Sequence, residues 1–172
     1  PRIYFGLQTN NNIVTNSNNR KEFDYPITTS AISENAENVY DGNAGLSLNF
    51  ADRFILGVKE GDLKLALSAN VNKDSKILTN RNIIERAKTI MPYLLYDENP
   101  YMVINEDGKL IWVLDAYTTS GNYPYSQKTT IQLDSINKTE INYIRNSIKV
   151  LINAYDGTTE FYVTDKTDPI AS

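Results

Sequence analysis

The 172-residue sequence contains no histidine and no cysteine. Without histidine, the chain has no imidazole to serve as a general base or a metal ligand, and mechanisms that depend on one are excluded. Without cysteine, it has no thiol nucleophile, no disulfide bond and no thiolate metal site. Catalysis by this chain would have to use carboxylate, lysine, tyrosine, serine or threonine side chains.

The sequence also lacks a block of like charge, a long apolar run and a glycine-rich phosphate loop. Seventeen basic and twenty-one acidic residues give a net charge of −4, whereas a nucleic-acid partner requires a basic face. The apolar runs reach about six residues, far short of the roughly twenty that a membrane-spanning helix needs. We therefore expect no nucleic-acid partner, and we expect a soluble fragment of a longer protein.

Composition and length are those of an ordinary globular chain. Hydrophobic residues make up 41% of the sequence, and a chain of this length suits one domain. We predict a single soluble domain over residues 1–172, of the α+β class. Apolar residues at helical spacing predict two or three helices, whose apolar stripes we expect to pack in the core. The predicted helices cover about 48–59, 62–68 and 80–91.

Two Asp-Gly pairs lie between strand patterns and predict two antiparallel hairpins, at about 101–114 and 148–164. Read as two-residue turns, they fix the register of each hairpin. The first register sets Ile104 opposite Ile111 and makes both faces apolar, which predicts inner strands. The second sets Val150 opposite Val163 and sorts apolar from polar residues, which predicts a half-buried hairpin.

Asp115 follows an apolar stretch directly, and sheet-based sites often lie where a strand ends. Tyr117, Tyr123 and Tyr125 come next and could stack on a sugar or a peptide. The competing interpretation, which we favour, is that Asp115 accepts hydrogen bonds from loop amides while the tyrosines cover the sheet edge. No second acid at a defined spacing supports a glycosidase pair.

Arg81 and Arg86 in the third predicted helix could bind an anion, although an exposed pair between Arg81 and Glu85 explains the spacing as well. The acidic stretches "DENP" and "DKTDP" do not match a calcium loop, and surface acids beside proline turns account for them better. We therefore expect neither a metal site nor a cofactor.

Several stretches of the sequence resemble successive landmarks of uncharacterised protein family 0182. They span nearly all of the chain. The stretches are "PRIYFG", "KEFDYP", "RNIIERAKTIMPYL", "ENPYMVI", "WVLDAYTTSGNYPYSQ" and "INYIRNSIKVLINAYDGTTEFYVTDKTDPI".

The resemblance implies a location but no reaction. Members of this family are large bacterial multi-pass membrane proteins, and the chain resembles part of the long segment outside the membrane. It implies the bacterial cell membrane as the site, with this chain on the extracytoplasmic side. The expected partners are the transmembrane portion of its own parent chain and, further, other envelope proteins or lipids. No catalytic residues are carried over from the family.

Three functional hypotheses follow from the residues and the resemblance, and one of them, a lipid- or peptide-carrying domain, would need an apolar groove larger than scattered surface residues give. The first is a non-catalytic extracytoplasmic module used for assembly, sensing or envelope contact. The second is a carboxylate-dependent hydrolase, or a carbohydrate-binding or carbohydrate-processing domain, with a site near Asp115. The missing catalytic residue types favour the first.

Overall fold

The computed structural model of the chain describes residues 2–18, 22–29, 32–47, 49–60, 71–132 and 138–172. Within these residues the protein consists mostly of antiparallel sheets with two short helices, which is broadly the predicted α+β class. The chain divides into two compact units. We call them the N-terminal unit (Arg2 and residues 10–81) and the sheet unit (residues 3–9 and 82–172). The prediction of a single domain stays a prediction.

The N-terminal unit contains a small antiparallel sheet in the order β1-β5-β4 and a separate two-stranded ribbon of β2 and β3. Its elements are β1 (Ile13–Thr15), β2 (Glu22–Thr29), β3 (Ile32–Asn38), β4 (Leu46–Ser47), α1 (Phe50–Glu60) and β5 (Lys76–Leu78). Asn49 caps α1, because its side-chain oxygen accepts from the amide of Asp52 at 2.9 Å. The helix predicted at 62–68 lies outside the described residues.

Few apolar side chains of the N-terminal unit are buried. Among its described residues the buried apolar side chains are Tyr40, Val71, Ile77 and Leu78. The stripe of α1 was expected to join them, but Phe54, Ile55 and Val58 are all exposed. The prediction of core packing for this stripe is therefore wrong.

The sheet unit is built around a five-stranded antiparallel sheet in the order β12-β11-β8-β6, with β7 also paired to β8. A two-stranded ribbon of β9 and β10 adjoins it in sequence. The elements are α2 (Ile83–Ile90), β6 (Leu95–Tyr96), β7 (Tyr101–Ile104), β8 (Leu110–Ser120), β9 (Thr129–Gln132), β10 (Lys138–Ile141), β11 (Tyr143–Asn153) and β12 (Thr159–Val163).

The register of β7 against β8 differs by one residue from the predicted register. Ile104 lies opposite Leu110, not Ile111. The amide of Asn105 donates to the carbonyl of Lys109 at 2.9 Å, which leaves a three-residue loop instead of a two-residue turn. Gly108 takes the positive φ of 74° that this loop requires. The strand β7 is also an edge strand with mostly exposed side chains. Of the two strands of this hairpin, only β8 is an inner strand.

The register of β11 against β12 differs by two residues. Val150 lies opposite Phe161, not Val163. The loop between the strands has four residues, because Asn153 and Thr158 close it with a 2.9 Å hydrogen bond. A shift of two keeps each side chain on its predicted face. Accordingly, the side chains predicted to face inward on β11 are buried, and they are Ile148, Val150, Ile152 and Ala154.

The helix α2 begins one residue after its cap, Asn82, whose side chain accepts from the amides of Ile84 and Glu85. It buries Ile83 and Ala87. The core of the sheet unit is completed by the fully buried Phe5 and by apolar residues of β8 and β11. This core fixes the sheet that carries the candidate site.

Candidate functional site

Asp115 and Tyr117 lie in the middle of β8, on the more polar face of the sheet. Alternate side chains of a strand point to opposite faces, and Leu114, Ala116 and Thr118 of β8 are buried on the other face. Asp115 and Tyr117 are only partly buried. The prediction that the strand ends before Asp115 is wrong, because β8 continues to Ser120.

Asp115 forms an ion pair with Lys149, its cross-strand neighbour on β11. The same carboxylate oxygen accepts a hydrogen bond from Nδ2 of Asn146 at 3.1 Å. Asn146 belongs to an irregularity in β11 between Arg145 and Ile148. The hydrogen bond to Asp115 raises the pKa of the Lys149 ammonium and keeps it charged.

Asp97 is a second acid beside Asp115. The strand β6 pairs Tyr96 with Ala116, and the amide of Asp97 then donates to the carbonyl of Asp115 at 3.0 Å. Cross-strand neighbours have Cβ atoms about 4.5–5.5 Å apart, and like charges there repel. The sequence interpretation treated Asp97, the first residue of "DENP", as a surface acid, and missed its place beside Asp115 because β6 has only two residues.

Asp97 and Tyr117 bond to each other. The phenol of Tyr117 donates to Oδ2 of Asp97 at 3.2 Å, and the amide of Asn99 donates to Oδ1 at 2.8 Å. The amide of Asn99, more than Tyr117, lowers the pKa of Asp97, against a smaller opposing effect of burial. Burial, followed by the hydrogen bond to Asp97, raises the pKa of Tyr117.

We call Asp97, Asp115, Tyr117, Asn146 and Lys149 the cross-strand network. General acid or base catalysis at neutral pH requires a group whose pKa lies near the working pH. Here the pKa of Asp97 is lowered and that of Lys149 is raised, so both groups stay charged. These two shifts favour the charged forms of Asp97 and Lys149.

A shallow cleft of about 360 Å³ lies near the turn ends of the two strand pairs β7–β8 and β11–β12. Ile111 and Leu151 contribute apolar surface, and Lys109, Asp156 and Glu160 bring charges of both signs. Neither Asp115 nor a tyrosine of the predicted site lines this cleft. The predicted site residues are therefore not gathered around a concave pocket there.

Tyr123 lies on the opposite face of the sheet from Asp115 and Tyr117, and Tyr125 projects fully into solvent. The ring of Tyr123 stacks on Tyr143, with centroids 5.0 Å apart. Tyr143 is the cross-strand neighbour of Ser120, and its phenol reaches the buried face that Thr118 occupies. The structure therefore does not bring the four predicted residues into one site.

The loop that carries Tyr123 and Tyr125 is ordered by Asn142. The side chain of Asn142 accepts from the amide of Tyr123 at 2.9 Å and donates to the carbonyls of Tyr123 and Ser126 at 2.7 and 3.2 Å. Tyr125 has a positive φ of 59° and a fully exposed side chain. The loop is thus held by Asn142, the residue that precedes β11.

The two arginines proposed for anion binding have other contacts. Nε of Arg86 donates to the carbonyl of Gly157 at 2.7 Å, and its guanidinium lies over the ring of Phe5. Gly157 has a positive φ of 69°, and a Cβ there would lie 2.7 Å from that ring. Arg81 belongs to the N-terminal unit and donates to the carbonyl of Asn11. Arg86 thus fastens the β11–β12 turn.

Asp168, in the stretch "DKTDP", is a buried carboxylate and not a surface acid. It accepts from the hydroxyls of Thr118 and Tyr143 and from the amide of Ile170. Burial opposes its ionisation, but these hydrogen bonds, together with Ser147, hold the pKa of Asp168 well below its usual range. The sequence carried a signal for this role. Asp168 stands two residues before Ile170, a spacing at which an aspartate side chain accepts from a backbone amide.

No metal centre is evident in the part of the chain that the structure describes, where no three acidic residues cluster suitably for an ion. Across those same residues, none of the helices has the length and apolar character needed to cross a bilayer.

Comparison with known proteins places the whole chain in one family. The sequence model described as "Uncharacterised protein family (UPF0182)" matches residues 1–172. Over all 172 residues the chain is 49% identical to a UPF0182 protein of Clostridium botulinum strain Okra and 46% identical to one of Clostridium novyi. The chain spans only 18% and 17% of the lengths of these relatives. No solved structure matches.

Proposed function

Because this chain belongs to uncharacterised protein family UPF0182, we propose that it is a non-catalytic part of a longer bacterial membrane protein. In this proposal it lies on the extracytoplasmic side of the cell membrane and serves assembly, sensing or envelope contact. Its partners are the transmembrane portion of its own parent chain and, beyond that, other envelope proteins or lipids. The resemblance to the family supports the membrane context.

The observation that carries the non-catalytic role is the bonding within the cross-strand network. Asp115 is paired with Lys149, and Asp97 is held by Tyr117 and the amide of Asn99. A catalytic carboxylate that donates a proton has a raised pKa, whereas the pKa of Asp97 is lowered. These groups stabilise the sheet by bonding to one another.

The proposed location is tested with the full-length protein in its own cells. Protease is added to intact spheroplasts, and the fragments are detected with an antibody against this segment. Cleavage within the segment is expected, while a cytoplasmic marker protein stays intact. Complete protection of the segment, followed by cleavage after lysis, would contradict the location.

A carboxylate-dependent hydrolase is the second candidate, and the pairing of Asp97 with Asp115 favours it. Most glycosidases use two carboxyl groups that flank the scissile bond. The test compares Asp115→Asn and Asp97→Asn with a control, Glu98→Gln, on a panel of glycan and ester substrates. The non-catalytic proposal predicts no hydrolysis that depends on either aspartate. Hydrolysis that both aspartate variants abolish and the control retains would favour the enzyme.

A further inference from the structure

The strand β2 turns its apolar side chains outward. Phe23, Tyr25 and Ile27 are 64%, 56% and 42% exposed. The acidic residues that alternate with Phe23 and Tyr25 along the strand have less exposed side chains. Asp24 accepts from Arg2 at 2.6 Å with its side chain only 14% exposed, and Glu22 accepts from the amide of Asn16 at 3.1 Å.

The helix α1 has the same reversed arrangement. Phe54, Ile55 and Val58 are 56%, 63% and 60% exposed. Gly57 is buried, and the partly buried Arg53 donates to the carbonyl of Val71. The side of the helix that carries a glycine and a charged residue thus lies against the unit.

A unit that is complete by itself buries the apolar side of an amphipathic helix or strand. Two elements of the N-terminal unit do the opposite, and each does so with charged or polar groups already bonded on its inner side. Exposed apolar residues grouped on one element in this way mark interaction surfaces. We call Phe23, Tyr25, Ile27, Phe54, Ile55 and Val58 the outward apolar residues.

We propose that, in the complete protein, the outward apolar residues are covered by another part of the same polypeptide. The length of the relatives argues for this occupant, because more than four fifths of each lies outside the segment that this chain matches.

This inference deepens the proposed assembly function and rests on it for the identity of the partner. It assigns that partner to defined residues of β2 and α1. It concerns α1 and β2, whereas the buried apolar side chains of the sheet unit lie mainly on its central strands β8 and β11.

The test is photo-crosslinking in the full-length membrane protein. A photoreactive residue replaces Ile55 on α1 or Phe23 on β2, and the matched control replaces Ile90, an exposed isoleucine on α2. Mass spectrometry identifies the joined peptides, and mixing isotopically light and heavy protein distinguishes links within one chain from links between copies. We expect links to segments of the same chain outside residues 1–172, with a yield roughly tenfold above the control, because an intramolecular contact has a high effective concentration.

Links to lipid, to a second copy or to another protein would overturn the inference, as would a yield equal to that at Ile90. The spheroplast experiment stays independent of this outcome. Protease cleavage without intramolecular links would leave the proposed location intact and remove only this inference. Protection from protease would contradict the location whatever the links show.

Discussion

The central strands of the sheet unit and the helix α1 of the N-terminal unit place their apolar residues in opposite ways. On β8 and β11 the buried side chains are aliphatic, including Leu114, Val150 and Ile152. On α1 the apolar residues at helical spacing include Phe54 and Ile55, and both are exposed. In the sequence, the strands and the helix each have apolar residues spaced so that they share one face. The difference teaches that periodicity identifies the residues that share a face, but does not say what covers that face.

The difference also predicts where stability resides. Burial of apolar surface stabilises a fold in proportion to the area removed from water. Among the residues that the structure describes, most of that burial belongs to the sheet unit, whose side chains form the larger core. Substitutions of the same chemical type should therefore have different effects in the two units.

The largest expected contrast is between Leu114→Ala in β8 and Ile55→Ala in α1. Leu114 is fully buried, so its truncation should lower the free energy of unfolding by about 2–5 kcal/mol. Ile55 is exposed, so its truncation should change that free energy by less than about 0.5 kcal/mol. Urea unfolding of the isolated chain at neutral pH measures both. Equal losses would remove the contrast between the units.

The carboxylate of Asp168 gives the next largest effect. Asp168→Ala leaves the hydroxyls of Thr118 and Tyr143 without their acceptor and should cost roughly 3 kcal/mol at neutral pH. The pKa of Asp168 is lowered from 3.8, so this stability is present above that pH and is lost as the pH falls through the folded-state pKa. The difference in the free energy of unfolding between the wild type and Asp168→Ala should therefore become smaller in acid. A gap that does not change with pH would contradict the ionised state.

Tyr96 should contribute less and lose its contribution in alkali. Its phenol donates to the carbonyls of Ala87 and Met91 at the end of α2, and Tyr96→Phe should cost about 1 kcal/mol. Burial, with a smaller effect of Tyr93, raises the pKa of Tyr96 from 10.0 to about 12. The contribution is complete below pH 10 and should disappear as the pH rises through the folded-state value. The free energies of unfolding of the wild type and Tyr96→Phe, measured in parallel at several pH values from 10 to about 12, check this loss.

The smallest effect is expected for the cross-strand network. Lys149→Met should lower the free energy of unfolding by less than about 1 kcal/mol, because the pair with Asp115 is partly exposed. The loss should shrink at high salt, which screens such pairs. The control is Lys88→Met, which removes a more exposed ion pair with Glu85. A loss of several kcal/mol for Lys149→Met would show that the network is a major support of the sheet.

The alternation of β11 could be predicted because it depends on local side-chain pattern. The loop lengths could not, although both Asp-Gly pairs were visible. A glycine marks the position of positive φ, which Gly108 and Gly157 both adopt, but it does not specify two, three or four loop residues. The closing hydrogen bonds of Asn105 and Asn153 decide those lengths.

The candidate site was predicted only in part, because its members are distant in sequence. Asp115 and Tyr117 were identified from the strand that carries them. Asp97 and Lys149 reach them only through strand pairing. Asp168 was misread as a surface acid, because the acceptor role of a carboxylate depends on donors about 25 and 50 residues away. Such groupings follow from the fold, not from local composition.

Hydrogen exchange tests the account most directly, by comparing the isolated chain with the full-length protein. The account predicts that amides of β8 and β11 exchange equally slowly in both, because apolar side chains on both strands are already buried in the isolated chain. It predicts that amides of α1 and β2 exchange on the order of tenfold more slowly in the full-length protein, where another segment covers them. Equal exchange of α1 and β2 in the two proteins would contradict it.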